Sequence, residues 1–273
     1  MPLTELMNYF NDQLQTQSRT KSLPKTGFYK ADNVYWARFG SLILGSNFYP
    51  LHSIKTERIL GYEAELIVRA STGNRLNIDS IFNSLDSNEQ IVHLDRLVRT
   101  LHSLNYLQQF DGQDYLLSLQ VQPRHIVSVN DDHGKIFEII LSDCGLKPER
   151  VLLHTRLLDH ATLNHFKKAL ENYKNRGYQI GINIAQSREL SLLANLEIHP
   201  DIIFIHASSV LVNKNTQDVA DQISLAQIDS YPLQRILVSE SRDDVADIAH
   251  AFDGLLVLPG GPYAEEKVIN YFA

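Results

Sequence analysis

The sequence predicts an α/β protein: a closed (β/α)8 TIM-like barrel with its first strand antiparallel and a helical extension at the N-terminus. Three observations predict it. Eight short apolar runs recur after residue 40, each of strand length. Amphipathic segments of helical length lie between most of them, the alternation that produces parallel sheets. The eight runs fit within about 230 residues, the usual compass of a closed barrel. An open doubly wound sheet is the alternative, but no Gly-rich phosphate turn supports it.

The elements follow in order. Leu3, Leu6, Met7, Phe10 and Leu14 have helical spacing, so the chain opens with a helix. That helix either docks on the main domain or makes a dimer or partner contact. "QTQSRTKSLPKTG" reads as a polar linker punctuated by Pro24 and Gly27. Residues 1–40 are therefore expected to form an N-terminal helix and linker, and residues 41–273 the barrel domain. The strand candidates are "SLILGSNFYPL", "RILGYEAELIV", "YLLSLQV", "RVLLHTRL", "YQIGINIA", "DIIFIHA", "RILVSE" and "GLLVL". "HSIKTE" is too short for a crossover helix, so the first two strands should be antiparallel. The helix candidates are "SNEQIVHLDRLVRTLHSL", "KIFEIILSDCG", "ATLNHFKKALENYKNRG", "TQDVADQISLAQI" and "SRDDVADIAHAF". Ser87 and Gln90 have the spacing of a capping box, and Gly145 and Gly177 fall where helices end.

Composition narrows the function. The net charge of −7 disfavours a broad basic footprint, so no direct nucleic-acid partner is expected. One cysteine, Cys144, cannot form an internal disulfide, which suits a reducing cytoplasm. No apolar run reaches the length of a membrane span, and the N-terminus lacks the pattern of a signal peptide. Hydrophobic content of 44% and charged content of 21% are those of an ordinary globular chain.

Chemistry-bearing residues gather at predicted strand ends. Glu63 and Glu65 in "GYEAELIVRA" project to one face of their strand, because side chains alternate with period two. Such a pair serves a metal, acid/base work or a solvated edge. Cys144 has no His beside it in sequence and reads as a structural cysteine. The acids of "SESRDD" and "NDDHGK" lack calcium-loop spacing and read as solvated turns.

"GYEAELIVRA" resembles the opening motif of the EAL domain, the family of cyclic di-GMP phosphodiesterases, which runs Gly-x-Glu-Ala-Leu-x-Arg. Gly61, Glu63 and Ala64 match, while Glu65 replaces the Leu and Ile67 the Arg. The resemblance is collinear through almost the whole chain after residue 43. "FYPLHS" is similar to the family's Tyr-Gln-Pro-Ile strand, with Pro50 kept and Tyr49 in place of the Gln. "HLDRLV" resembles its Leu-Asp-Arg helix. Gln120 stands where a strand Asn belongs, and His154, Arg156 and Leu157 fall on the Glu-x-Thr-Glu stretch. Asn183 and Ile184 fall on the Asp-Asp pair, and Phe204 and His206 on the Lys-Ile-Asp strand. Glu240 matches Glu-Gly-Val-Glu, and Pro262 matches the family's end, but Leu255 and Leu256 replace Gln-Gly.

The resemblance implies a carboxylate-rich mouth that holds magnesium or manganese for two-metal hydrolysis, with a Lys assisting. Here the implied set is reduced to remnant positions Glu63, Gln120, His154, Asn183, His206 and Glu240, two of them carboxylates. Ile184, Phe204 and Leu157 cannot coordinate a metal or move a proton. Family-type hydrolysis, and with it a catalytic residue or a resident metal, is therefore not expected. Glu63, His154, His206 and Glu240 remain candidates for a His₂-carboxylate zinc or iron site. Glu65 should repel a phosphodiester, and loss of the Arg removes a bidentate phosphate contact. Arg69, on the same face, reaches the nucleotide only if the strand slips or bulges; Arg124 and Arg156 are further candidates. The leading expectation is an inactive EAL-like domain that binds a protein, such as a transcriptional or motility regulator, as degenerate members of the family do. A homodimer is a further expectation, as related barrels dimerise. The alternatives are a non-hydrolytic cyclic di-GMP receptor and a divergent phosphodiesterase.

Overall fold

A computed structural model describes residues 2–20, 23–110, 112–129, 145–210, 223–230 and 233–258, with residues 16–20 described as backbone. The expected helix "KIFEIILSDCG" up to Cys144, and Pro262, lie outside the described residues.

All eight expected barrel strands form. They are β3 (Leu42–Ser53), β4 (Ile59–Arg69), β5 (Leu116–Gln120), β6 (Val151–Thr155), β7 (Gln179–Ile184), β8 (Ile202–His206), β9 (Gln234–Ser239) and β10 (Gly254–Val257). A hairpin, β1 (Thr26–Ala31) and β2 (Val34–Phe39), precedes them. Strands β4 to β10 pair in sequence, all parallel. Strand β3 closes the ring, antiparallel to both β4 and β10. This is the predicted closed barrel with its first strand reversed.

Helices α2 (Ile78–Asn83) and α3 (Asn88–Gln109) follow β4, and α4 (Pro123–Ser128) follows β5. Helix α5 (Leu163–Asn175) follows β6, α6 (Ser187–Ala194) follows β7, and α7 (Leu225–Asp229) precedes β9. Ser87 accepts from the Gln90 amide at the start of α3, as its spacing predicts. Gly177, at φ +90°, ends α5 in the left-handed region that glycine enters without strain. "SRDDVADIAHAF" differs from expectation. It forms two 3₁₀ turns, Asp243–Val245 and Ala249–Ala251, and the segment buries Val245, Ile248 and Phe252 against the barrel without a full helix.

The second difference lies between the first helix and the barrel. Helix α1 spans Leu3–Thr20, and the segment after it is not linker throughout but contains the β1–β2 hairpin. Its two-residue loop is Asp32–Asn33, at φ 48° and 61°, the conformation that twists in step with flanking strands. β3 and β4 run past the barrel rim, and β1, β2 and these extensions form a four-stranded antiparallel sheet. Leu6, Phe10, Phe28, Tyr35, Leu44 and Val68 pack there against α3. Burying Leu6 and Phe10 contributes about 1.5–3 kcal/mol each, which docks α1 on this small sheet.

Helix α3 thus serves two cores. Between them it carries buried polar groups. The Asn105 amide accepts from the Tyr35 N–H and donates to the Tyr35 carbonyl, each at 2.8 Å. It does so where β2 and β3 part, replacing the bonds that a neighbouring strand would supply. His102 Nδ1 lies 2.8 Å from the Ser46 hydroxyl.

Candidate functional site

Alternation along each strand sends one set of side chains into the barrel. Leu51, Leu152, Ile202, Phe204, Ile236 and Leu256 fill its interior. One pleat higher, at the C-terminal ends, the inward positions are Glu63, Gln120, His154, Asn183 and His206, with Glu240 directly after β9. These are the six remnant positions named from the sequence, and the registers step them along the strands: Glu63 lies opposite Ser118, two residues before Gln120, and Asn183 opposite Phe204, two residues before His206.

The structure brings three of them into contact. His154 Nε2 lies 2.9 and 3.1 Å from the two carboxylate oxygens of Glu63, and Nδ1 lies 3.0 Å from Asn183 Oδ1. His154 is 5% exposed and Glu63 7%. Nε2 must carry a proton to donate to the carboxylate. Nδ1 donates to the Asn183 oxygen, or accepts from its nitrogen once the amide is turned over. The Phe204 ring packs on the imidazole with 4.9 Å between centroids. Gly181 makes room for both, since a Cβ there would sit 2.9 Å from His154 Cβ and 3.0 Å from the Phe204 ring.

His206 and Glu240 stand on the far side of the mouth. They line a cavity of about 590 Å³ with Ser239 and Asp244. Burial, with Arg156 close by, lowers the His206 pKa. Among the described residues no group of three or more His, Cys, Asp or Glu side chains is placed to hold a metal ion. The His₂-carboxylate set is therefore divided between two parts of the mouth.

Arg156 is tied down rather than directed at a ligand. Its Nε and Nη2 donate to one oxygen of Glu189, at 3.1 and 2.6 Å. The other Glu189 oxygen accepts from the Ala185 and Gln186 amides at the start of α6. Sequence reasoning missed Glu189. Its position three residues after Gln186, with an apolar run following, is the signal of a helix N-terminus.

Glu65 also has a partner. Its Oε2 accepts from the Tyr49 hydroxyl at 3.1 Å and from Arg75 at 3.3 Å. Burial and the Glu65 charge raise the Tyr49 pKa. Arg75 comes from the turn after β4, and nothing local in the sequence marks it. Glu65 and Arg75 line a second cavity, of about 530 Å³, with Glu63, Gln120, Gln122 and Asp79. Arg69 is elsewhere. The β3–β4 register is unbroken from Arg69 to Gly61, so the strand makes no bulge there. Six residues beyond Glu63, Arg69 is about 20 Å along the strand, where it donates to the Gly73 carbonyl. Arg124 donates to the Phe82 carbonyl and fastens α4 to α2.

Beneath the second cavity lies Asp95, from the "HLDRLV" segment. It receives two bonds from Arg99, at 3.0 and 2.8 Å, and one from the Gln122 amide, at 2.9 Å. His125 Nδ1 lies 2.7 Å away. Burial alone would raise the Asp95 pKa, but Arg99 and His125 outweigh it and hold the carboxyl well below the usual range. This cluster anchors the chain just past Gln120.

No protein-family model matches the sequence, and no curated protein matches it significantly. Solved structures do. A standalone EAL protein of Vibrio cholerae O395, in its cyclic di-GMP-bound form, superposes with a TM-score of 0.62 at 19% identity, covering 78% of this chain and 89% of that one. A Klebsiella pneumoniae protein in complex with calcium and cyclic di-GMP gives 0.61 at 17% identity, covering 79% of this chain and 54% of that chain. The EAL domain of Xanthomonas citri FimX, also with cyclic di-GMP, gives 0.60 at 14% identity, covering 78% and 85%.

The chain has the EAL-type barrel fold.

The chain thus spans about half of the Klebsiella protein and most of the Vibrio one. Within this EAL-type barrel, the residues present do not fit a pair of divalent cations. Both Glu63 oxygens face a donor nitrogen, Phe204 and Ile184 are buried hydrocarbon, and His206 and Glu240 stand apart. Among the described residues no helix is long and apolar enough to cross a membrane.

Proposed function

We propose that this EAL-type barrel does not hydrolyse cyclic di-GMP and acts as a regulatory binding module whose partner is a protein. The observation that carries the reading is the His154–Glu63 contact. A histidine donates to the carboxylate that would otherwise be free to take a cation, and Phe204 closes over its ring. A hard divalent ion needs several oxygen ligands, and displacing His154 would free only one carboxylate, Glu63, beside the Asn183 amide oxygen. What persists is a folded barrel whose mouth is polar but internally paired, which suits recognition rather than turnover.

A second reading, a receptor that binds cyclic di-GMP without cleaving it, is favoured by Arg75. This cation neutralises Glu65 and lines a cavity beside the Gln120 and Gln122 side chains. The two readings separate in calorimetry with cyclic di-GMP, with and without Mn²⁺, combined with assay for the linear product. No binding and no product supports the protein-binding module. Tight binding without product supports the receptor, and product overturns both.

A further inference from the structure

Among the described residues β1 is the terminal strand of its sheet, and one side of it has no neighbouring strand. Exposed edges of this kind pair with other chains unless something blocks them. Here α1 packs along β1, and one of its side chains takes up the bonds of the missing strand. Asn11 Oδ1 accepts from the Phe28 N–H at 2.6 Å, and Asn11 Nδ2 donates to the Phe28 carbonyl at 2.9 Å. These are the two bonds that an adjacent antiparallel strand makes to one residue. Asn105 does the same for Tyr35 inside the molecule, where β3 has drawn away from β2. The fold thus uses an asparagine amide twice in place of a missing strand.

The edge that Asn11 closes is self-complementary. Since Phe28 points its backbone groups outward, so do Thr26 and Lys30, two residues either side. An antiparallel pairing centred on Phe28 would set Phe28 against Phe28 of a second copy and Thr26 against Lys30. No like charges would meet. Tyr29 would lie opposite Gly27, an aromatic side chain over a glycine, a favoured cross-strand arrangement.

We infer that α1 is a guard on the β1 edge, with Asn11 as its closing residue, and that opening it lets a second copy of this chain pair through β1. This goes beyond the proposed function and does not depend on it, because neither the mouth nor its ligand takes part.

The test is sedimentation velocity on the full chain across a concentration series, with circular dichroism to verify folding. Asn11→Ala leaves both Phe28 backbone groups without their partner and should strengthen self-association about tenfold or more. Lys30→Pro, added to that variant, removes an outward N–H and should return association to the level of the native chain. Unchanged association in a folded Asn11→Ala variant would overturn the inference. So would association that Lys30→Pro fails to reverse, since that is non-specific. Should Asn11→Ala not fold, Asn11→Asp keeps the bond from the Phe28 N–H and turns a carboxylate on the Phe28 carbonyl. The same readout and the same reversal then decide.

Discussion

His154 and Glu63, 91 residues apart in sequence, form a buried donor–carboxylate pair at the mouth of the barrel. Removing either partner leaves the other's buried polar groups without a hydrogen bond, which costs about 1–3 kcal/mol. His154→Leu and Glu63→Leu should each lower the urea midpoint strongly, while the double variant should lose much less than their sum. Additive losses would show that the two side chains act independently. His154→Glu supplies a related measurement. It places two carboxylates together, so Mn²⁺ should raise the melting temperature of that variant and leave the native chain unchanged.

His102 gives stability a pH dependence of definite sign. Burial holds its pKa down to about 3, against 6.5 for a free imidazole. Between these values the unfolded chain binds a proton that the folded chain does not, so stability falls as pH falls below 6.5. By pH 5 the loss is about 2 kcal/mol from this residue. His125 and His206, also lowered by burial, act in the same direction. Urea midpoints at pH 7 and pH 5 should converge in His102→Gln by about that amount. An unchanged difference would place the dependence elsewhere.

Gly181 is required by the size of its neighbours. A methyl group there meets His154 Cβ and the Phe204 ring inside the barrel. Gly181→Ala should destabilise the protein by about 1–3 kcal/mol through overpacking. Phe204→Leu, by opening space on one side, should restore part of that loss in the double variant. Calorimetric melting of the four proteins checks it; full additivity would mean that the strain lies in the backbone.

Much of the barrel is legible in the sequence because strand signals are local. Runs such as "YQIGINIA" and "DIIFIHA" are apolar within their own few residues, and the order of runs and helical segments implies parallel pairing. The inward direction of Glu63, His154, Asn183 and His206 follows from alternation alone. The β1–β2 hairpin was harder to see. Phe28, Tyr35, Ala37 and Phe39 do alternate, but over two short strands flanked by polar residues, and their burial depends on α1 and α3. "SRDDVADIAHAF" has helical spacing, yet it forms two 3₁₀ turns, and the barrel wall buries Val245, Ile248 and Phe252 without a continuous helix.

By itself, then, the sequence determined the eight barrel strands, the closed barrel and which residues stand at the strand ends. Only the tertiary structure decided what those residues do to one another. Glu65 stands alone in a strand until the turn after β4 brings Arg75 to it. Arg156 is an open cation until α6 presents Glu189. Asn11 is one more polar residue on a helix until the β1 edge meets its amide. Backbone periodicity is set by neighbours along the chain, whereas pairing of charges and hydrogen-bonding groups depends on distances of about 3 Å between residues far apart in sequence. No local pattern encodes such distances.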